Sequence, residues 1–169
     1  MPLFESMLSE TRYVGEVGLD GGKEFVKSKH SQAKVFAEIL SLCRADGSKI
    51  ISIHSRHAAE AVLDKIEEHP GCGIPILHWF TGNRSELDRA IKLGCWFSVG
   101  TPMLRSAKGK AAIARIPRER ILTETDAPFA SNNIRSSLLQ ATKELSNIWK
   151  IDDDEVTSTI KENLATLVS

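Results

Sequence analysis

The sequence predicts an α/β fold organised on parallel strands, and three features predict it. Five short apolar runs rich in Ile, Val and aromatic residues recur along the chain. They are nearly continuous rather than strictly alternating, as strands covered on both faces are. Amphipathic helical patterns separate them. No Pro/Gly/Ser-rich linker or low-complexity segment interrupts the alternation, so residues 1–169 read as a single α/β domain.

In chain order, "MPLFESMLSET" places Leu3, Phe4, Met7 and Leu8 at helical spacing. The strand runs are "RYVGEVGL" (12–19), "KIISIHS" (49–55), "IPILHWF" (74–80), "CWFSVG" (95–100) and "RILTETD" (120–126). Between the first two, "SQAKVFAEILSLCRADG" aligns Val35, Phe36, Ile39, Leu40 and Cys43 on one stripe and exits at Gly47. "HAAEAVLDKIEEHPG" aligns Ala58, Ala61, Val62, the Lys65 stem and Ile66, and stops at Pro70. "SELDRAIKLGC" takes Ser85 as its N-cap and Gly94 as its exit. "AKGKAAIARI" and "IRSSLLQATKELSNIW" follow, and the last helix opens at Asp152 with acids in its first turn, where the helix dipole favours them.

Lysine plus arginine and aspartate plus glutamate number 22 each, so the formal net charge is zero. Overall charge therefore gives no support for a nucleic-acid or membrane partner. Cys43, Cys72 and Cys95 are odd in number and lack CxxC spacing, which points away from a disulfide framework or zinc knuckle and toward reduced thiols. The opening residues show no basic segment followed by a long apolar one, and no apolar run approaches the roughly 20 residues that span a bilayer. The expectation is a cytoplasmic protein with no membrane partner.

The polar residues within these runs carry the chemistry. Glu16 lies in the first run, His54 and His78 near the ends of the second and third, and Asp126 at the end of the fifth. In parallel α/β architecture, ligand and catalytic groups gather at the carboxyl ends of strands. Two imidazoles and two carboxylates there suit zinc, manganese or iron, and the carboxylates also suit magnesium. Each residue has a plainer reading too: His54 as a hydrogen-bonded structural histidine, Glu16 as a turn residue beside Gly15, Asp126 as a turn-forming aspartate. It is the four together, on separate strands at one predicted end, that favour a metal site.

The motifs "VGEVGLD" (14–20), "SIHSR" (52–56), "ILHWFTG" (76–82) and "ILTETDAP" (121–128) resemble successive signatures of the TatD family of metal-dependent deoxyribonucleases, and "ENLATLV" extends the likeness toward the end of the chain. "HWFTG" with "GCWFSVGTPMLRS" looks most like the QatD branch of that family, from Qat anti-phage defence systems. The resemblance implies a TIM barrel that hydrolyses DNA phosphodiesters, with other Qat proteins as further partners. It implies two divalent ions (magnesium, manganese or zinc). Glu16 would bridge them, His54 and His78 would hold one, and Asp126 would hold the other and orient or deprotonate the attacking water. Asp20 matches a family position that supports the site from behind. Arg56 in "HSR" is a candidate phosphate contact, as is Arg105, which opens the basic stretch "LRSAKGKAAIARIPRER" at the expected rim. For that stretch, a solvated helix face is the competing reading.

The family's His-x-His pair has no counterpart here, the five histidines being His30, His54, His57, His69 and His78. A (β/α)8 barrel takes about 250 residues. The expectation is thus a partial TIM barrel, strands four to eight with the first three missing. That arrangement would impair the second metal site, weaken or abolish nuclease activity, and allow self-association through exposed strand edges. Two rival functions remain open at this level: a non-catalytic partner-binding relic, and a metal-dependent hydrolase of other esters or amides.

Overall fold

A computed structural model describes residues 1–129 and 132–169 of the chain. Its packing divides the chain into two compact units, Met1–Trp96 and Phe97–Ser169. The boundary falls inside a strand rather than in a linker, which is why composition gives no sign of it.

The first unit runs α1 (Pro2–Leu8), β1 (Tyr13–Gly18), a 3-10 segment (Lys23–Ser28), α2 (Lys29–Asp46), β2 (Ile50–His54), α3 (Ala59–Glu68), β3 (Ile74–His78) and α4 (Arg84–Lys92). β1 pairs parallel with β2, and β2 with β3, in registers such as Tyr13 to Ile50 and Ile53 to Leu77. The apolar runs become strands because both faces are covered: Ile51, Ile53 and Leu77 are fully buried, as are Leu40 of α2 and Leu63 of α3. α2 buries Phe36, Ile39, Leu40 and Cys43 as its spacing predicts, whereas Val35 remains 44% exposed. α3 turns slightly from its predicted face, burying Ala59, Val62, Leu63 and Ile66 rather than Ala58 and Ala61. The cap of α4 is Asn83, not Ser85. The Asn83 side chain accepts from the Glu86 N–H at 3.0 Å while Glu86 reaches back to the Asn83 N–H at 2.5 Å, a reciprocal box that an Asn-x-x-Glu spacing provides.

In the second unit, β4 (Trp96–Val99) carries the boundary and is followed by α5 (Thr101–Arg105), α6 (Ala107–Ile113), a 3-10 turn (Arg118–Arg120), β5 (Ile121–Thr123), α7 (Ile134–Trp149) and α8 (Asp153–Val168). β4 and β5 are parallel, with Phe97 opposite Ile121. Asp152 caps α8 through a second reciprocal box with Glu155. The buried Asn163 of α8 donates to the carbonyls of Arg118 and Ile121 at 2.7 and 2.8 Å, fixing the helix to the start of β5. Arg118 in turn stacks over Trp149, 5.3 Å from the ring centre, and donates to its carbonyl.

α1 shows how little of an apolar stripe need be buried. Leu8 is 5% exposed, but Leu3 and Met7 are 73% and 57% exposed. The helix is fastened instead by Lys49, itself 3% exposed, whose ammonium donates to the carbonyls of Leu8 and Thr11 at 2.6 Å and pairs with Asp46 at 2.5 Å. A buried ammonium is tolerated only when its protons are all engaged in this way. All three cysteines are free and buried, and burial, reinforced by the nearby Cys72 thiol, pushes the Cys43 thiol up to about 11. Among the described residues no helix is long and apolar enough to cross a membrane.

Lys49→Met strips the carbonyls of Leu8 and Thr11 and the Asp46 carboxylate of their shared donor. We expect a loss of about 3 kcal/mol in urea denaturation, with amide exchange accelerating first in residues 2–11. An unchanged denaturation midpoint would show that the ammonium is not what fastens α1.

Candidate metal centre

Glu16 is aimed by an irregularity in β1. Val14 pairs with Ile51 and Val17 with Ile53, so Gly15 and Glu16 stand where β2 has only Ser52. An extra residue of this kind bends a strand and re-aims its side chain. Glycine makes the fit possible: a Cβ on Gly15 would come within 2.8 Å of the Ser52 Cβ. At the strand's end Gly18, with φ at 142°, lies opposite His54, and a Cβ there would sit 2.1 Å from the His54 carbonyl oxygen. Only a glycine allows β1 to close on β2 at this point.

His54, the last residue of β2, is held from both sides. Its Nδ1 lies 2.9 Å from Glu16 Oε1 and its Nε2 lies 2.9 Å from Asp20 Oδ2. Asp20 is anchored in turn, its Oδ1 accepting from the Gly22 N–H at 2.8 Å and its backbone N–H donating to Gln32 Oε1 at 2.7 Å. Arg56 Nη1 approaches Asp20 Oδ2 at 3.4 Å and Glu24 Oε1 at 3.0 Å. Burial works to raise the Asp20 carboxyl, but the Gly22 N–H, His54 and Arg56 together outweigh it and hold Asp20 below the usual carboxylate range. Asp20 therefore stabilises the fold above the ordinary carboxylate pKa, and this contribution fades as pH falls through its depressed value.

His78 closes β3, its Nε2 3.9 Å from Glu16 Oε2, so the two oxygens of one carboxylate each face an imidazole. The residue after it, Trp79, has φ at 41°, and His57 beyond β2 has φ at 52°. Left-handed backbone at non-glycine residues is sparsely populated and gathers at functional sites.

The donor set, two imidazole nitrogens and a shared carboxylate, has the chemistry of a zinc or manganese site. Each nitrogen of His54 faces a carboxylate oxygen at 2.9 Å, and a divalent cation could take the place of the hydrogen bond at one of them. Both ring nitrogens are engaged in hydrogen bonds, and among the described residues no group of three or more His, Cys, Asp or Glu is gathered into a ready coordination cage. The donors therefore fit one ion in kind, and binding it means releasing one His54 nitrogen from its carboxylate.

Asp126 belongs to the second unit. It stands beyond the end of β5 at Thr123, half-buried and with φ at 50°, in the segment after Glu124, which accepts a hydrogen bond from the Ser98 hydroxyl. Arg105 pairs with Glu144 through Nε at 2.9 Å. With Arg118 on Trp149, the basic stretch is thus partly engaged within its own unit. Two residues that hold the first-unit site escaped sequence reasoning: Glu24, which receives Arg56, and Gln32, which clamps the backbone of Asp20. Neither lies in a strand-end motif, and Gln32 is indistinguishable from any polar residue of an amphipathic helix.

A family model described as TatD related DNase matches residues 3–169. The chain is 29% identical over 161 residues to an uncharacterized metal-dependent hydrolase, YabD, of Bacillus subtilis, spanning 89% of this chain and 62% of that protein. It is 31% identical over 121 residues to the 3'-5' ssDNA/RNA exonuclease TatD of Edwardsiella piscicida, spanning 69% of this chain and 45% of that protein. The chain thus spans less than two thirds of the length of these curated relatives. In fold it resembles the TatD homologue YjjV of Escherichia coli, with TM-score 0.82 and 22% identity over 99% of this chain and 70% of that one. It also resembles an uncharacterized amidohydrolase of Saccharomyces cerevisiae, with TM-score 0.83 and 17% identity over 98% of this chain and 69% of that one.

Gly18→Ala forces β1 away from His54 and is expected to cost about 1–3 kcal/mol, with the ring resonances of His54 shifting in NMR spectra. Unmoved His54 signals would mean that the close strand approach does not place the imidazole.

Proposed function

We propose that this chain, which belongs to the TatD related DNase family, carries the metal-holding and water-orienting residues of a hydrolase that cleaves DNA phosphodiesters. The observation that carries this reading is the His54 ring fixed between Glu16 and Asp20, with His78 facing the other oxygen of Glu16. Glu16, His54 and His78 are the proposed ligands of a divalent ion: magnesium, manganese or zinc. Bound there, such an ion supplies Lewis-acid activation of water and stabilises charge on the leaving oxygen.

The chain's own residues do the rest. Asp20 sets the orientation of the His54 ring, the role a carboxylate behind a ligating histidine performs. Asp126 is proposed for a second ion and for orienting or deprotonating the attacking water, an assignment supported by its motif "ILTETDAP". Among the described residues Arg56 meets both its carboxylates through Nη1, and its Nε and Nη2 are the groups proposed to contact a phosphate. Arg105 is the corresponding proposal in the second unit. A place in anti-phage defence alongside other Qat proteins is supported by "HWFTG" and "GCWFSVGTPMLRS".

Metal titration of the purified chain tests the reading. Manganese or zinc is expected to bind saturably, His54→Ala to abolish that binding, and Asp20→Asn to weaken it about 10–100-fold. Equal binding by His54→Ala would remove the proposed centre. Cleavage of single-stranded DNA, set against cleavage of simple esters under the same metal, distinguishes a nuclease from a hydrolase of other esters.

A further inference from the structure

Glu24 is carried by the 3-10 segment Lys23–Ser28, none of whose residues is buried. Phe25 and Val26 line a cavity of about 560 Å³ that residues 58–61 at the start of α3 also line, so the segment borders open space rather than the core. Side chains tie it to the rest of the unit. Glu24 Oε1 accepts from Arg56 Nη1 at 3.0 Å, and the Ser28 hydroxyl accepts from Gln32 Nε2 at 2.9 Å.

Gly22 makes room for the first of these ties. A Cβ there would lie 2.7 Å from Glu24 Oε2 and 2.9 Å from Asp20 Oδ1. Two carboxylates thus close in on one bare Cα, and both reach the same nitrogen of Arg56, Glu24 at 3.0 Å and Asp20 at 3.4 Å. Nη1 carries two N–H groups, enough for one to face each carboxylate. Because the guanidinium is planar, fixing Nη1 also fixes the direction of the edge formed by Nε and Nη2. An edge of that kind pairs with two oxygens of a phosphate.

The contact is poorly placed to stabilise the fold. The Arg56 and Glu24 side chains are 48% and 52% exposed, and ion pairs that exposed are screened by solvent. Asp20 differs, being half-buried and held by Gly22 and His54 as well as Arg56. Its carboxylate keeps its place without help from the arginine.

We propose that Glu24 is a positioning residue, which holds Arg56 so that the Nε and Nη2 edge meets a phosphate of a nucleic-acid strand. The inference rests on the reading of Arg56 as a phosphate contact and deepens it by naming the group that aims the contact. It also sets two effects of opposite sign against each other. Glu24 is a negative charge beside a polyanion, so by charge alone its removal tightens binding. As the group that orients Arg56, its removal weakens binding. Screening at an exposed position reduces the first effect. A guanidinium already oriented loses less freedom on meeting the phosphate, so the second prevails.

The test follows binding of a labelled short oligothymidylate to metal-free protein by fluorescence anisotropy across a series of salt concentrations. Arg56→Gln should weaken binding about tenfold and lower the slope of log affinity against log salt by about one. Glu24→Ala should weaken it severalfold despite the lost negative charge, with no change in melting temperature. Glu24→Gln keeps a carbonyl oxygen to face Nη1 and should bind at least as tightly as the unaltered chain. The Nε–Hε resonance of Arg56 should be sharp in the unaltered chain and in Glu24→Gln, and broadened in Glu24→Ala. The proposal is overturned if Glu24→Ala binds as tightly as the unaltered chain or more so, or if Glu24→Gln binds as weakly as Glu24→Ala. Absence of binding by the unaltered chain, or unchanged affinity in Arg56→Gln, would overturn the phosphate reading of Arg56 together with this inference. Weakening in Arg56→Gln without weakening in Glu24→Ala would overturn this inference alone.

Discussion

An imidazole suspended between two carboxylates organises the first unit. Glu16 lies within β1 and Asp20 just beyond its end, and His54 ends β2, so the contact exists only while those strands hold their register. Everything around it serves that register. The irregular pairing at Gly15 and Glu16 brings one carboxylate over the sheet end, Gly18 lets the strands close, and Gln32 clasps the backbone of Asp20 from α2. Arg56 adds positive charge behind Asp20, so the pair of carboxylates is balanced from outside as well as by the ring between them. A ring held from both sides in this way is oriented by its two carboxylates, and it could ligate an ion only by giving up one of them.

Much of this could be read from the chain, because the strands follow a simple rule. Runs such as "KIISIHS" are rich in isoleucine since both faces are buried, and the histidine falls where the apolar pattern stops. His54 and His78 stand at the observed ends of β2 and β3 for that reason. The helices were less legible in proportion as their burial is partial. α2 sits deep and keeps its predicted stripe apart from Val35, whereas α1 leaves Leu3 and Met7 in solvent because its anchor is a lysine far along the chain. Periodicity counts apolar residues and cannot see a charge-to-carbonyl contact between residues 41 positions apart.

Capping illustrates the same limit locally. Ser85 and Asn83 are both good caps by residue type, and only the Glu86 side chain, reaching back to Asn83, decides between them. Asp152 has no such rival and caps α8 where the sequence places it. Asp126 falls in motif order at the end of the fifth run, yet β5 itself stops at Thr123, so its φ of 50° belongs to the segment beyond the strand. The division at residues 96 and 97 was illegible for another reason: a strand crosses it, and hydropathy does not report how densely neighbouring helices pack.

Two adjacent residues bring the site and the cavity into one geometry. His54 turns to Glu16 and Asp20, while Ser55, just past the end of β2, is buried and belongs to the wall of the cavity that the start of α3 also lines. Asp20 touches both regions, with Oδ2 on the imidazole and the residue itself in the cavity wall. The Gly22 N–H that fixes Asp20 therefore fixes the imidazole beside it as well, and the cavity wall and the His54 contact share that one turn.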